Sequence, residues 1–217
     1  MPVRPSPAVA KRRSAKEMSG HAEFRLRLLH AVERLLETGV GFGELGIAQI
    51  VAEAGTSRST FYLHFKDKSQ LLDEAFRTVM DELLQVAGLT WQLPPDSDRD
   101  TVRRAMGEVV AAFSAHARLM VAVSDIAGAD GRVGSSLATL MEQGRHNLAA
   151  HIESGQRDGS VRVGVDAGTV AGLLVAMAER GLSRLTPGAT EQERDIIADS
   201  LTHIVWSSLY EGAPARR

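Results

Sequence analysis

The side chains best suited to chemistry lie close together, between positions 56 and 68. There the sequence TSRSTFYLHFKDK combines small hydroxyls, an arginine, a tyrosine, a histidine and two lysines with two phenylalanines spaced four residues apart. On a short helix Phe61 and Phe65 would share one face and anchor it, which leaves the polar side chains on the opposite face. Hydroxyls, arginine and lysine are the groups that contact phosphates and base edges in DNA. The segment therefore predicts a DNA-binding surface.

Three helices are predicted to position this segment: one from residue 22 to the glycines at 39, 41 and 43, one over about 45–54, and one over 58–65. Gly55 ends the second helix, and Thr56 and Ser57 are residue types that cap the third. Asp67 and Gln70, three residues apart, have the spacing of a capping box that opens a longer fourth helix. A short polar helix after a glycine turn is typical of a helix-turn-helix, although an ordinary helical hairpin with a solvated face shows the same pattern.

The longer run over residues 24–84 resembles the DNA-binding domain of TetR-family regulators. The family's pattern has a first helix that ends in glycine, an Ile-Ala helix, an Ala-Gly and Ser/Thr turn, a Tyr-x-x-Phe recognition helix, and a lysine that opens helix four. The matching positions are Gly39, Ile47, Ala48, Ala54, Gly55, Thr56, Ser57, Tyr62, Phe65 and Lys68. Two positions depart from the pattern. Val51 stands where the family usually has alanine, and Ser59 stands where glycine is frequent, so the base preference cannot be transferred.

The resemblance implies a role for each side chain of the predicted DNA-binding surface. Phosphates would be held by Thr56, Ser57, Tyr62, His64 and Lys68. The base edges would lie nearest to Arg58, Ser59 and Thr60, and Leu63 would contact a thymine methyl group. Lys66 is also expected to contact a phosphate. Alternatively, Lys66 and Lys68 lie in a solvated loop and contact no DNA.

The first twenty residues are predicted to form a disordered basic arm. They contain three prolines and a basic cluster of Lys11, Arg12, Arg13 and Lys16, and they show no helical periodicity. Such an arm could lie in a DNA minor groove, or it could be a solubilising tail without specific contacts.

Beyond a Pro- and Asp-rich break at 91–100, five more helices are predicted, over roughly 101–116, 117–128, 133–157, 167–185 and 191–210. The alternating stretch 160–165 is short and isolated, and is interpreted as a connector. The predicted fold is all-α with about nine helices: an N-terminal three-helix helix-turn-helix domain joined by a long helix to a helical ligand-binding and dimerisation domain. The predicted divisions are the arm 1–20, the DNA-binding domain 21–82 and the C-terminal domain 83–217.

The last two predicted helices resemble those of regulators of the ethionamide-resistance repressor type over residues 178–212. The resemblance implies a homodimer, in which these helices form a four-helix bundle with those of the partner. Small residues over 168–178 and an apolar stripe on the final helix suit such packing. The same residues could instead face the core of their own subunit. The stripe comprises Ile196, Ile197, Leu201, Ile204, Val205 and Leu209.

Apolar side chains of the middle helices are candidates for a ligand pocket, although such a stripe also occurs in ordinary cores. The candidates are Trp91, Phe113, Met120, Val123, Ile126, Leu137, Met141, Leu148, Leu174 and Met177. That repressor type has amide side chains before a Glu-Arg pair, where this chain has Val175 and Ala178 before Glu179. A small apolar effector, lipid-like or aromatic, is therefore expected.

Other classes of protein find little support. Cysteine is absent, the seven histidines lack metal-ligand spacing, and no Gly-rich phosphate loop or nucleophile elbow occurs. No enzyme activity, metal or cofactor is expected. No apolar run resembles a signal peptide or a membrane span, so a cytoplasmic protein without membrane contact is expected.

The favoured hypothesis is a cytoplasmic, homodimeric, sequence-specific transcriptional regulator. It would repress from a palindromic double-stranded DNA operator and be released by its effector. A helical protein-interaction module and a transcriptional activator remain the alternatives.

Overall fold

The computed structural model describes residues 23–93 and 97–213, and all regular structure in these ranges is helical. The predicted all-α fold is confirmed. The predicted arm over residues 1–20 lies outside the described residues. The nine described helices are α1 over 23–37, α2 Ile47–Glu53, α3 Arg58–His64, α4 Lys68–Thr90, α5 Arg99–Ala115, α6 Ala117–Ala127, α7 Gly131–Asp158, α8 Ala167–Leu185 and α9 Glu191–Leu209.

Side-chain caps fix where the C-terminal helices begin. The Asp98 carboxylate accepts a hydrogen bond from the Thr101 N–H, and the Asp130 carboxylate accepts from the N–H groups of Arg132 and Val133. These aspartates start α5 and α7 two residues before the predicted positions, because a cap satisfies N–H groups that the first helical turn leaves unpaired. Thr190 caps α9 within a complete capping box.

The chain divides into two compact units, and the division falls within α4, between Glu74 and Ala75. The predicted domain boundary after residue 82 stays a prediction. In the first unit, Leu28 of α1, Ile50 of α2 and Phe61 of α3 are completely buried. The three short helices are thus held by one small core.

The second unit is built around α5, α7, α8 and α9. Its core includes Met106, Leu148, Ile152, Ala171 and Val205, with at least one buried side chain from each of these helices. No single helix among the described residues is long and apolar enough to cross a membrane, and only α5 and α6 taken together, bent by 72°, reach that length and composition.

The segment 160–165 is a connector, as predicted, and it is firmly packed. Val161 is completely buried against Gly155 of α7, where a Cβ atom would collide with the valine side chain. The Arg162 N–H donates to the Leu209 carbonyl at 2.8 Å. The connector therefore links the end of α7 to the end of α9.

Candidate nucleic-acid interface and apolar cavity

The turn between α2 and α3 sets the direction of the short polar helix. Gly55 has a φ of 64°, a left-handed conformation that glycine adopts without strain. The Thr56 N–H donates to the Val51 carbonyl at 2.8 Å and closes the turn. Ser57 then caps α3, because its Oγ accepts from the Thr60 N–H at 3.1 Å. The predicted capping role of Ser57 is confirmed.

Two buried rings hold α3 by one face. Phe61 and Phe65 are at most 1% exposed, and their ring centroids lie 5.5 Å apart. Tyr62 is 57% exposed and Leu63 is 82% exposed on the other side. A leucine this exposed on a helix that is otherwise well anchored is available to a partner.

The predicted DNA-binding residues occupy one continuous stretch, and the structure leaves most of them accessible. The cluster of hydroxyls is pre-ordered: Ser57 Oγ lies 2.8 Å from Thr60 Oγ1 and 3.2 Å from Ser59 Oγ. The exposed side chains are Ser57, Arg58, Ser59, Tyr62, Leu63 and Lys66, and the partly buried ones are Thr56, Thr60, His64 and Lys68.

Helix α1 adds two arginines that the sequence analysis did not select. The guanidinium of Arg27 lies 5.7 Å from the centre of the Phe24 ring, and the His64 ring lies 4.3 Å from that same ring. Arg25 lies 5.6 Å from the Phe65 ring and pairs with Glu74. Both arginines are exposed, but Glu74 compensates the charge of Arg25, so Arg27 carries the positive charge that lies on α1 near α3. Arg27 follows Phe24 by three positions, the spacing of side chains that share a helix face, and this spacing was the available signal.

Lys68 has partners that the sequence does not reveal. Its Nζ donates to three backbone carbonyls, those of Phe42 at 3.0 Å, Gly43 at 2.8 Å and Leu45 at 2.9 Å. The same atom lies 5.2 Å from the centre of the Phe42 ring. An ammonium group has three N–H donors, and all three are directed at these carbonyls.

Asp67 and Gln70 open α4 in a modified form of the predicted capping box. The Gln70 N–H donates to Asp67 Oδ1 at 2.7 Å, as in a standard box. The Gln70 side chain accepts from the N–H of Lys66 at 2.9 Å, one residue before the position that a standard box uses.

An apolar cavity of about 120 Å³ lies inside the second unit. It is bordered by α4, α5, α7, α8 and α9. Five of the ten predicted pocket residues line it: Trp91, Phe113, Met141, Leu148 and Leu174.

The other five predicted pocket residues lie elsewhere. Met120 and Val123 are completely buried in the core, and Ile126 and Leu137 are half-buried away from the cavity. Met177 is 37% exposed and lines a surface groove instead. Apolar spacing identifies the buried face of a helix, but it does not identify which buried positions border a gap.

Residues of α4 and one carboxylate also line the cavity. Met80, Leu83, Leu84 and Ala87 of α4 were not predicted, whereas Val175 and Ala178 of α8 line the cavity as part of the expected apolar wall. Glu179 is the exception to that wall. Its Oε1 accepts hydrogen bonds from Ser124 at 2.9 Å and from Ser183 at 3.4 Å.

Helices α8 and α9 carry a separate apolar groove on the surface. Leu185 is 60% exposed, Ile196 is 57% exposed and Ile204 is 39% exposed. Val205 and Leu209 of the same predicted stripe are buried in the subunit core. The final helix is therefore apolar on two sides, and each side has its own environment.

The described residues offer no metal site, since no group of three or more His, Asp or Glu side chains within 23–93 and 97–213 could hold a metal ion.

Comparison with known proteins agrees with this arrangement. The family model for bacterial regulatory proteins of the tetR family matches residues 28–75, and the model for the C-terminal domain of the transcriptional regulator EthR matches residues 102–211. The HTH-type transcriptional regulator EthR of Mycobacterium tuberculosis H37Rv is 26% identical over 205 residues, which cover 92% of each chain. The EthR of Mycolicibacterium smegmatis is 26% identical over 212 residues, which cover 94% of this chain and 93% of that one.

Solved structures with less sequence similarity share the fold. PfmR, a TetR-family regulator from Thermus thermophilus, superposes with a TM-score of 0.68 at 17% identity, covering 84% of this chain and 98% of its own. A transcriptional regulator from Saccharomonospora viridis, solved in complex with choline, gives a TM-score of 0.70 at 19% identity, covering 87% and 98%. This chain belongs to the TetR family of DNA-binding transcriptional regulators and has a C-terminal domain of the EthR type.

Proposed function

We propose that this regulator is a homodimeric repressor that binds a palindromic operator in double-stranded DNA and is released from it by a small apolar effector. We infer that it acts in the cytoplasm, where that DNA is found. The observation that carries the proposal is the apolar cavity in a chain that also presents the exposed polar face of α3. An apolar cavity is suited to sensing a small molecule, because close-packed protein interiors hold few voids larger than a water molecule and ligand sites are lined mainly by apolar side chains.

Some of the DNA contacts would position the protein on the DNA backbone, and others would read the base sequence. The hydroxyls of Thr56 and Ser57 with Lys66 are suited to phosphates. Arg58, Thr60 and Leu63 are suited to base edges. Because Arg58 is exposed and follows the cap residue, it can reach into a major groove without rearrangement of α3. Arg27 of α1 joins the set as a phosphate contact.

Lys68 would hold the DNA-binding surface in place without contacting DNA itself. Its three carbonyl partners belong to the turn that precedes α2, so the ammonium group ties the start of α4 to the start of the helix-turn-helix. Hydrogen bonds to a charged donor contribute more than neutral ones. We therefore assign Lys68 to positioning, in place of the phosphate contact that the family resemblance implied.

The effector would enlarge the cavity that it occupies. Ligand sites for small molecules usually have roughly 300–1,000 Å³, well above the volume found here. A ligand that binds an expanded conformation better shifts the population toward that conformation. Helix α4 lines the cavity with four side chains and begins at Lys68, so a displacement of α4 would reach the residues that hold the helix-turn-helix.

The homodimer would form through the exposed groove of α8 and α9. Large apolar side chains are exposed there, on the helices that the sequence predicted for dimerisation. A two-fold dimer presents two copies of α3, which requires an operator with two half-sites in inverted orientation.

The function is tested first on DNA upstream of the coding region of the protein itself. We expect the purified protein to retard this DNA in a gel in the presence of excess competitor DNA, and Arg58→Ala to lose the retardation while the protein remains folded. Retardation that competitor DNA abolishes would contradict an operator. A reporter whose transcription rises when the protein is supplied would make it an activator.

Lys68→Ala should lower the melting temperature and the DNA affinity without changing the dependence of affinity on salt. Losing the carbonyl contacts should cost roughly 1–3 kcal/mol of stability. The exposed Lys66→Ala is the matched control. It should keep the melting temperature and flatten the log–log salt slope by about 1–2 per dimer. A flattened slope with an intact melting temperature in Lys68→Ala would return this lysine to the phosphate contacts.

Ile204→Glu should give folded monomers in light scattering and weaken DNA binding, because the charge would lie in the exposed groove. His203→Glu places the same charge on a neighbouring exposed position of α9 outside the groove, and it should leave the dimer intact. Val205→Glu is a different experiment, since Val205 is only 3% exposed and the buried charge would unfold the subunit. A dimeric Ile204→Glu protein would place the interface elsewhere.

Phe113→Trp should fill the cavity without loss of melting temperature, and it should change the affinity for DNA or the response to effector. Met120→Trp is the matched control in the core, where overpacking costs about 1–3 kcal/mol. Thermal melts and operator titrations of both variants show whether Phe113 borders a cavity or lies in a packed core as Met120 does. If Phe113→Trp loses stability as Met120→Trp does and keeps its operator affinity, the cavity is not the sensing site.

A further inference from the structure

A second, polar groove lies beside the apolar cavity, and Trp91 separates them. Its volume is about 460 Å³, and Trp91 lines both spaces. The groove runs along α7, where Asn147, His151, Ser154 and Asp158 face it. Trp91 follows directly after the end of α4 and is half-buried, so the partition between the two spaces is one side chain at a helix end.

Helix α7 has two different faces on the two sides of this partition. The groove residues at 147, 151, 154 and 158 are spaced by four, three and four positions, which places them in one stripe. Leu140, Gly144 and Leu148 form the neighbouring stripe and line the apolar cavity. A molecule that lay along α7 would meet aliphatic side chains at one end and hydrogen-bonding groups at the other.

The partition is held by a chain of two hydrogen bonds. His151 Nδ1 lies 2.8 Å from the Trp91 carbonyl oxygen, and His151 Nε2 lies 2.9 Å from the Tyr210 hydroxyl. A carbonyl can only accept, so Nδ1 carries the proton and Nε2 accepts from the tyrosine. Burial lowers the pKa of His151 and raises the pKa of Tyr210 to about 12, so the chain is uncharged at neutral pH.

This neutral chain fixes the Trp91 backbone, whereas the Trp91 side chain is held only by packing against the core and by the His151 ring, whose centroid lies 5.6 Å away. The backbone carbonyl is bound to α7 through His151, and the backbone N–H donates to the Ala87 carbonyl at 3.2 Å. A change of side-chain rotamer needs neither bond to break. It would open the apolar cavity into the polar groove.

We propose that the effector is an amphiphile, whose apolar tail fills the cavity and whose hydrogen-bonding head lies past Trp91 in the groove of α7. This inference rests on the proposed function and names the class of its ligand. It also supplies the missing space, because the cavity alone is smaller than an ordinary ligand site.

The charged residues that line the groove limit which head group it can bind. Among the described residues that line it, Asp158 is the one carboxylate and there is no lysine or arginine. An anionic head would enter a partly desolvated site in which no lysine or arginine of the described lining can neutralise it. Carboxylate and phosphate heads are therefore disfavoured, and an uncharged head that forms hydrogen bonds is favoured.

Four probes with one tail test this assignment on the full-length protein: octane, octanol, octyltrimethylammonium and octanoate. Binding is measured by calorimetry, and release is measured as loss of operator retardation. Octanol should bind more tightly than octane, and octanoate should bind most weakly. Octyltrimethylammonium has a charged head without a hydrogen-bond donor or acceptor, so it should bind less tightly than octanol, and tighter binding than octanol would overturn the hydrogen-bonding head. Asn147→Leu should weaken octanol by about tenfold, the value of one hydrogen bond, and should leave octane unchanged.

His146→Leu is the matched control, because it removes a polar side chain from the exposed surface of α7 outside both spaces. It should leave the binding of all four probes unchanged. If octane and octanol bind equally and Asn147→Leu has no effect, the groove does not hold a head, and the apolar-effector repressor still stands. If none of the probes binds or releases the operator, the amphiphile assignment fails. If the wild-type protein also fails to retard its upstream DNA in the presence of competitor DNA, the proposed function fails with it.

Discussion

The burial of two phenylalanine rings is the constraint on which the DNA-binding surface depends. A helix of seven residues is not stable alone, because the cost of its first turn is not recovered over so short a length. Phe61 and Phe65 supply the missing stabilisation by packing into the core of α1 and α2. The polar residues between them need no further support, so their types are free to serve recognition. Lys68 adds a second fixed point at the turn before α2.

Local chemistry made the first unit predictable from the sequence. The cap at Ser57, the glycine turn at Gly55 and the two anchoring rings each depend on neighbours a few residues away. The partners of Lys68 could not be predicted, because they are backbone carbonyls of a distant turn and carry no side-chain signature. The sequence therefore singles out Lys68 as a residue of interest, but it does not show what the ammonium group contacts.

The second unit shows the limit of apolar patterns more clearly. Phe113 and Met120 are both large apolar residues at helical spacing, yet one borders the cavity and the other is packed on all sides. Ile204 and Val205 are adjacent in the chain, yet one is exposed and the other belongs to the core. Such differences depend on how five helices pack against one another, and the sequence of any one helix does not determine that packing. The helix bounds of this unit, by contrast, were predicted to within two residues.

The positions of the tryptophans give the protein an intrinsic fluorescence probe. The chain contains two, Trp91 and Trp206, and both belong to the second unit, where they pack against its core. Trp91 stands between the cavity and the groove, and the Trp206 ring lies 5.2 Å from the ring of Tyr210. The helix-turn-helix has no tryptophan, so ultraviolet emission excited through indole reports on the second unit without interference from the unit that carries α3.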